Sequence, residues 1–215
     1  MGASVKTPAA ASAAQHADDL ARLLDIVGVD AVTVLSHAGG SPVALEFAVR
    51  HRDRTSAVVV VDFTLSTGSG SAGEAGEPSP FGALLAGMVA TLQKPDGPAA
   101  LRTMYGGYFG SKADPALTAA AIDAAVTTPM EVACAELIDV IGINTEALAR
   151  QITAPVLWVT ATTPDAPYLQ SAFSDLAIGV TPGSGHFVQL EVPNQLNAMI
   201  ETFLAQNISA IPTAS

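Results

Sequence analysis

Residues 57–61, Ala-Val-Val-Val-Val, constrain the fold of this chain more than any other stretch. The run is apolar throughout and dominated by β-branched residues, which favour extended backbone. A strand with one wet face alternates polar and apolar residues, whereas a continuous apolar run is typical of a strand that is covered on both faces. The run therefore predicts a buried strand of a parallel sheet that packs between helices.

Three further stretches predict strands, and stretches with helical patterns separate them. The predicted strands are residues 30–36, 57–61, 155–160 and 177–180, and the predicted helices around them are residues 12–27, 42–51, 166–173 and 194–205. Gly28 follows the first predicted helix, as expected for a residue that commonly terminates helices. Strands that alternate with helices imply right-handed crossovers and parallel pairing. We therefore predict an α/β fold, a mainly parallel sheet with flanking helices.

Residues 81–150 differ from the rest of the chain because they carry helical patterns without a convincing strand. Proline and glycine interrupt this stretch at several points, which predicts four or five short helices. We expect these helices to form a cap insertion above the carboxyl ends of the strands, where ligands of open α/β sheets bind. Residues 1–80 and 151–215 then form the core, with a loop over residues 64–80 that is rich in Gly, Ser and Glu.

The composition argues against several classes of protein. The 215 residues carry 9 Lys and Arg against 20 Asp and Glu, for a formal net charge of −11. This balance disfavours binding to nucleic acid and to anionic membranes, because both need basic residues. The single cysteine, Cys134, excludes an intrachain disulfide, and we find neither a signal peptide nor a run of about 18 apolar residues. We therefore expect a cytoplasmic protein, and no spacing of metal ligands or cofactor motif predicts a bound group.

Residues 36–40, Ser-His-Ala-Gly-Gly, lie between a predicted strand and a predicted helix. A strand-to-helix turn of the form G-x-S-x-G is a nucleophile elbow, in which strained backbone holds a serine hydroxyl clear of the sheet. In this chain the nucleophile position is Ala38, and a methyl group cannot attack a carbonyl carbon. Two hydroxyls lie nearby, but we expect Ser36 to be buried in the strand and Ser41 to cap amides at the start of the helix.

His186 and Asp62 are the predicted catalytic pair. Asp62 directly follows one predicted strand and His186 follows the last one, so both should face the crevice that holds Ala38. A carboxylate beside a histidine fixes its tautomer and stabilises the imidazolium, which makes the histidine a competent general base. The Gly-Ser-Gly that precedes His186 predicts a flexible approach to it. Asp165 is the alternative acid, and we favour Asp62 because it directly abuts a buried strand end.

Nearly the whole chain resembles the α/β-hydrolase superfamily, and two motifs carry the resemblance. Residues 36–40 look like that family's Gly-His-Ser-x-Gly with the first and third residues changed. Residues 182–193, Pro-Gly-Ser-Gly-His-Phe-Val-Gln-Leu-Glu-Val-Pro, are similar to the family's ending, in which the histidine completes a triad. The resemblance implies that His186 is the catalytic base. Some members carry the acid where Asp62 lies, and many carry it after the next strand.

The same resemblance implies an N-terminally truncated fold. The family's earlier strands, and the loop that supplies half of its oxyanion hole, have no counterpart in the sequence. The strand of residues 31–36 would then be a long apolar edge of the sheet, which favours association. We therefore expect a homo-oligomer through this edge if the chain is complete.

The cap should determine the substrate, which its apolar and weakly polar pattern suggests is a small apolar organic molecule. The candidate substrate-binding residues are His37, Gly39, Tyr105, Tyr108 and Phe187. The favoured function is a small-molecule ester or lactone hydrolase in which Ala38 is an engineered or inherited inactivation. Two alternatives stay open: a cofactor-independent ring-cleaving dioxygenase that uses the His–Asp pair, and a non-catalytic ligand-binding protein that keeps the pocket.

Overall fold

The computed structural model describes residues 12–68 and 80–208, and their centre is a four-stranded parallel sheet. The strands are β1 (Val32–His37), β2 (Thr55–Val61), β3 (Val156–Thr160) and β4 (Leu176–Val180). They lie side by side in chain order, and each neighbouring pair is parallel. All four predicted strands are present. The predicted α/β class with a mainly parallel sheet is confirmed.

Helices flank the sheet and fill the connections between its strands. Those of the described residues are α1 (Ala13–Val27), α2 (Ser41–Arg50), α3 (Pro80–Leu92), α4 (Gly97–Gly107), α5 (Pro115–Ala125), α6 (Met130–Gly142), α7 (Thr145–Ala149), α8 (Ala166–Ala172), α9 (Val188–Glu191) and α10 (Pro193–Asn207). Local chemistry sets the bounds of α1, because the side chain of Ser12 accepts a hydrogen bond from the backbone N–H of Gln15. At the other end Gly28 has a φ of 70°, a left-handed conformation that glycine adopts without strain.

Both faces of the sheet are covered, as the apolar run of β2 predicts. On one face Val58, Val60 and Trp158 pack with buried residues of α1, α2 and α8. On the other face Val59 and Val159 pack with buried residues of α9 and α10. Residues 57–61 are all 1% exposed or less. Strand β2 is therefore packed on both of its faces, and this packing positions the residue that follows it.

Between β2 and β3 along the chain, the helices of the stretch predicted to be a cap form a third apolar cluster, and their role as a cap stays a prediction. Helices α3, α4 and α6 contribute its buried residues, among them Leu92, Leu101 and Cys134. Helix α7 does not join this cluster. Its residue Ala149 is fully buried in the core on the α1 and α2 face of the sheet, which sets residues 145–149 apart from this third cluster. Most of the predicted loop over residues 64–80 lies outside the described residues.

Strand β1 lies at an edge of the described sheet. Leu35 is 52% exposed, whereas Val59, its partner on β2, is fully buried. The expected self-association through this edge stays a prediction. No helix of the described ranges is both apolar enough and long enough to cross a bilayer.

Candidate active site

The turn after β1 has the strained geometry of an elbow. Ala38 begins a short 3₁₀ turn that leads directly into α2, and its φ of 50° lies in the left-handed region. This conformation costs a residue with a Cβ atom roughly 1–2 kcal/mol. A Cβ atom built on Gly39 or Gly40 would meet nothing within 4 Å, so the turn borders open space. The structure therefore presents the methyl group of Ala38 at the tip of a strained turn.

Asp62 and His186 form a direct hydrogen bond at the same end of the sheet. The distance between His186 Nδ1 and Asp62 Oδ2 is 2.6 Å. The other carboxylate oxygen, Oδ1, accepts hydrogen bonds from the Thr160 hydroxyl at 3.2 Å and from the Ala161 N–H at 3.0 Å. Burial opposes the ionisation of Asp62, but the hydrogen bonds from His186, Ala161 and Thr160 outweigh it and lower its pKa.

The ionised state of Asp62 fixes the tautomer of His186. A carboxylate can only accept a hydrogen bond, so Nδ1 of the ring carries the proton and donates it. In the neutral ring, Nε2 is then left with a free lone pair. This is the arrangement in which a histidine can take a proton from a nearby group.

Asp165, the alternative acid, has a different role in the structure. It precedes α8, and its side chain accepts a hydrogen bond from the backbone N–H of Tyr168 at 3.1 Å. This is the geometry of a helix N-cap. Of the two acids considered from the sequence, Asp62 is the one that contacts His186.

His37 supports the backbone beside His186. Its Nε2 lies 2.8 Å from the backbone oxygen of His186, and because a carbonyl only accepts, this nitrogen is the donor. The two rings lie 4.6 Å apart, centroid to centroid. Burial lowers the pKa of His37, and the neighbouring His186 adds to this effect, although the hydrogen bond to the carbonyl opposes it. The neutral ring of His37 thus ties the elbow to the loop that carries His186.

Aromatic side chains at the end of α4 and just after it lie next to His186 and Phe187. The ring of Tyr108 lies 5.3 Å from that of His186, and Tyr105 lies 5.6 Å from Phe187. Phe109, which the sequence did not single out, stacks on Phe187 at 4.6 Å. The wall of the site beside His186 is therefore aromatic.

The two hydroxyls near the elbow are both buried. The Ser36 hydroxyl lies 3.2 Å from the Val59 carbonyl oxygen and 3.3 Å from the Ser41 hydroxyl. Ser36 is 7% exposed and Ser41 is fully buried. The prediction for Ser36 is confirmed. The prediction that Ser41 caps amides is wrong, because its hydroxyl contacts Ser36 instead.

Besides Phe109, sequence reasoning missed the roles of Thr160, Gly185 and Glu191 in the site. Thr160 supports the carboxylate of Asp62, and Glu191 accepts hydrogen bonds from two backbone N–H groups, those of Gly110 and Gly185. The prediction that the glycines before His186 give flexibility is wrong for Gly185. A Cβ atom there would collide with the backbone of the cap at Tyr108 and Gly110, so this glycine permits close packing.

A cavity in the described ranges lies apart from this site. It has a volume of about 550 Å³ and opens between the ends of α3 and α4 and the side of α6, with Leu92, Pro98 and Cys134 in its lining. The His, Cys, Asp and Glu side chains of residues 12–68 and 80–208 form no group of three that could hold a metal ion.

Comparisons with known proteins give structural matches alone. No family model and no curated protein matches the sequence. A bromoperoxidase from Bacillus anthracis matches with a TM-score of 0.81 at 16% identity, over 95% of this chain and 78% of that one. A thermophilic esterase from Thermogutta terrifontis (TM-score 0.76, 16% identity) matches over 95% and 75% of the two chains. An enol-lactonase from Burkholderia xenovorans LB400 (0.76, 17%) matches over 94% and 75%.

Proposed function

Because this chain has the α/β-hydrolase fold, we propose that its site is that of a small-molecule ester or lactone hydrolase whose nucleophile position holds Ala38. The 2.6 Å hydrogen bond between His186 and Asp62, close to a strained elbow, carries this proposal. A histidine that is hydrogen-bonded to a carboxylate serves as the general base in acyl transfer, and the elbow is the place from which a nucleophile would attack.

A serine at position 38 would complete the chemistry of acyl transfer. Its hydroxyl would give its proton to Nε2 of His186 while its oxygen attacks the carbonyl carbon. The carboxylate of Asp62 would stabilise the imidazolium that results. In elbows of this type, the backbone N–H that follows the nucleophile binds the developing oxyanion, and here that group belongs to Gly39.

Ala38 removes the first of these steps and leaves the others. Loss of the nucleophile from a serine hydrolase lowers the rate about 10⁶-fold, or roughly 8 kcal/mol in the barrier. The chain with Ala38 therefore keeps the His186–Asp62 pair, the strained turn and the aromatic wall, but it lacks the group that forms an acyl-enzyme.

The wall of the site supports the proposed class of substrate. The rings of Tyr105, Tyr108 and Phe187 pack against one another and against His186, and an aromatic wall of this kind favours a small apolar organic substrate. The structural matches include an esterase and an enol-lactonase, which supports an ester or lactone as the reacting group.

The test is hydrolysis of p-nitrophenyl acetate by the wild-type chain and by Ala38→Ser. The wild type should match the buffer rate, and the variant should exceed it by about 10³-fold or more, a part of the ~10⁶ that a nucleophilic serine contributes. Ala38→Gly is the matched control, because it changes the same residue without adding a nucleophile. The gain should disappear when His186→Ala is added to Ala38→Ser. A folded Ala38→Ser that hydrolyses no faster than Ala38→Gly contradicts the proposal.

The absent nucleophile itself favours a second candidate, a cofactor-independent ring-cleaving dioxygenase. In such chemistry His186 would take a proton from a hydroxylated heteroaromatic substrate, and the resulting anion would react with oxygen. That reaction has no need of a hydroxyl at position 38. Oxygen uptake by the wild type with such a substrate, abolished in His186→Ala, would support it. Tight binding of the substrate with no turnover in either assay would instead indicate a ligand-binding protein.

A further inference from the structure

The tip of the cap is bonded to the loop that carries His186. The backbone N–H of His186 donates to the carbonyl oxygen of Tyr108 at 2.7 Å. The Gly110 N–H donates to Oε2 of Glu191 at 2.9 Å, and the Gly185 N–H donates to Oε1 of the same carboxylate at 3.0 Å. Glu191 therefore joins two chain segments, one from the cap and one that ends at His186.

Two glycines allow these segments to come close enough for one carboxylate to bond both. A Cβ atom on Gly185 would collide with the backbone of the cap at Tyr108 and Gly110. A Cβ atom on Gly110 would lie 2.7 Å from Oε2 of Glu191 and 3.0 Å from the nitrogen of Gly185. The close contact is thus made by backbone, and Glu191 lies at its centre.

We infer that Glu191 is the positioning residue that fixes the direction of the His186 ring. The inference rests on the proposed function, in which His186 is the base. Gly185 immediately precedes His186, so the Glu191 bond fixes the backbone on one side of the ring, and the bond to Tyr108 fixes the backbone of His186 itself. With the backbone held at both points, Nδ1 stays within 2.6 Å of Asp62.

A carboxylate suits this position better than an amide. An ionised Glu only accepts hydrogen bonds, and each of its two oxygens faces a backbone N–H. Glutamine of the same shape has one oxygen and one NH₂ group, so one of the two N–H donors would face another donor. Bonds to a charged acceptor are also shorter and stronger than neutral ones. Glu191→Gln should therefore release one of the two segments without removing side-chain volume.

The first experiment follows the His186 Nδ1 proton by NMR in histidine-labelled wild-type protein, where no turnover is needed. A proton shared with a carboxylate at this distance gives a strongly downfield signal, and its loss in Asp62→Asn assigns it. Glu191→Gln should broaden the signal or speed its exchange with solvent at least tenfold. Glu191→Asp keeps the charge and both acceptor oxygens, so it should preserve more of the Nδ1 signal than Glu191→Gln does. Glu201→Gln is the matched control, since Glu201 is exposed on α10, and should leave the signal unchanged.

The second experiment separates positioning from general stability. In an Ala38→Ser background, Glu191→Gln should lower kcat about tenfold and leave KM for p-nitrophenyl acetate within twofold, with Glu191→Asp restoring most of kcat.

An unchanged Nδ1 signal in Glu191→Gln overturns the inference, whatever the activity of Ala38→Ser. If Glu191→Gln does not fold, the Nδ1 signal of Glu191→Ala, which removes both acceptors without adding a donor, decides: exchange faster than in the Glu201→Gln control supports the inference, and equal exchange overturns it. An inactive Ala38→Ser with a perturbed Nδ1 signal would count against the hydrolase proposal alone.

Discussion

The ends of the two neighbouring strands β1 and β2 share a backbone geometry and differ in what it presents. Ala38 follows β1 with a φ of 50°, and Asp62 follows β2 with a φ of 48°. Among the residues that the structure describes, they are the only non-glycine residues with a positive φ. At Asp62 this turn presents a carboxylate that accepts three hydrogen bonds. At Ala38 it presents a methyl group.

The difference shows that the shape of the elbow does not depend on the side chain at its tip. The hydrogen bonds of Asp62 offset the cost of its left-handed backbone, whereas the methyl group of Ala38 offers no such bond. The turn at Ala38 must be held by its surroundings. His37, on one side, is bonded to the His186 loop, and Ser41, on the other side, is fully buried at the start of α2.

The largest effect that separates the two strand ends should be catalytic. In an Ala38→Ser background, we expect Asp62→Asn to remove most of the gained activity, a loss in kcat of about 10³-fold or more, because an amide no longer holds the His186 ring in the productive tautomer. Steady-state kinetics with p-nitrophenyl acetate measure this loss. Asp165→Asn is the matched control. It should leave kcat unchanged and affect only the N-cap of α8.

The outcome of this pair of variants also decides between the two acids considered from the sequence. A loss of that size in Asp165→Asn, with Asp62→Asn still active, would assign the acid to the later position and contradict the geometry of the pair.

Local patterns in the sequence predict the sheet and the residues that follow its strands β1 and β2. The apolar run of residues 57–61 predicts a strand covered on both faces, and the position of Asp62 directly after that run predicts the contact with His186. The identities of Gly185 and Glu191 carry no comparable signal. Their roles depend on contact with Gly110 of the cap, which is 75 or more residues away along the chain. Helix α7 is among the four or five short helices predicted for residues 81–150, but its packing on the core has no local signal for the same reason.

A second pair of variants compares the two left-handed residues directly. Glycine relieves roughly 1–2 kcal/mol of left-handed strain and costs about 0.5–1 kcal/mol through the entropy of the unfolded chain. Ala38→Gly should therefore stabilise the protein by up to about 1 kcal/mol or leave it unchanged. Asp62→Gly receives the same relief but loses the hydrogen bonds of the carboxylate, and should destabilise it by roughly 2–3 kcal/mol. Urea unfolding measures both changes. Equal changes at the two sites would mean that the carboxylate contributes nothing to stability.

The smallest expected effect concerns the dependence of stability on pH. Burial opposes the charge of Asp62, but its hydrogen bonds with His186, Ala161 and Thr160 keep its pKa below the ordinary value. As the pH falls through about 4, the unfolded chain takes up this proton before the folded protein does, so the stabilisation from Asp62 is complete above that range and is lost below it. The advantage of wild type over Asp62→Asn in the free energy of unfolding should therefore be larger at pH 5 than at pH 3. The other acidic residues are common to both proteins, so the difference between them isolates Asp62. An advantage that grows as the pH falls would mean that the pKa of this carboxyl is raised, and that the hydrogen bonds do not favour its charged form.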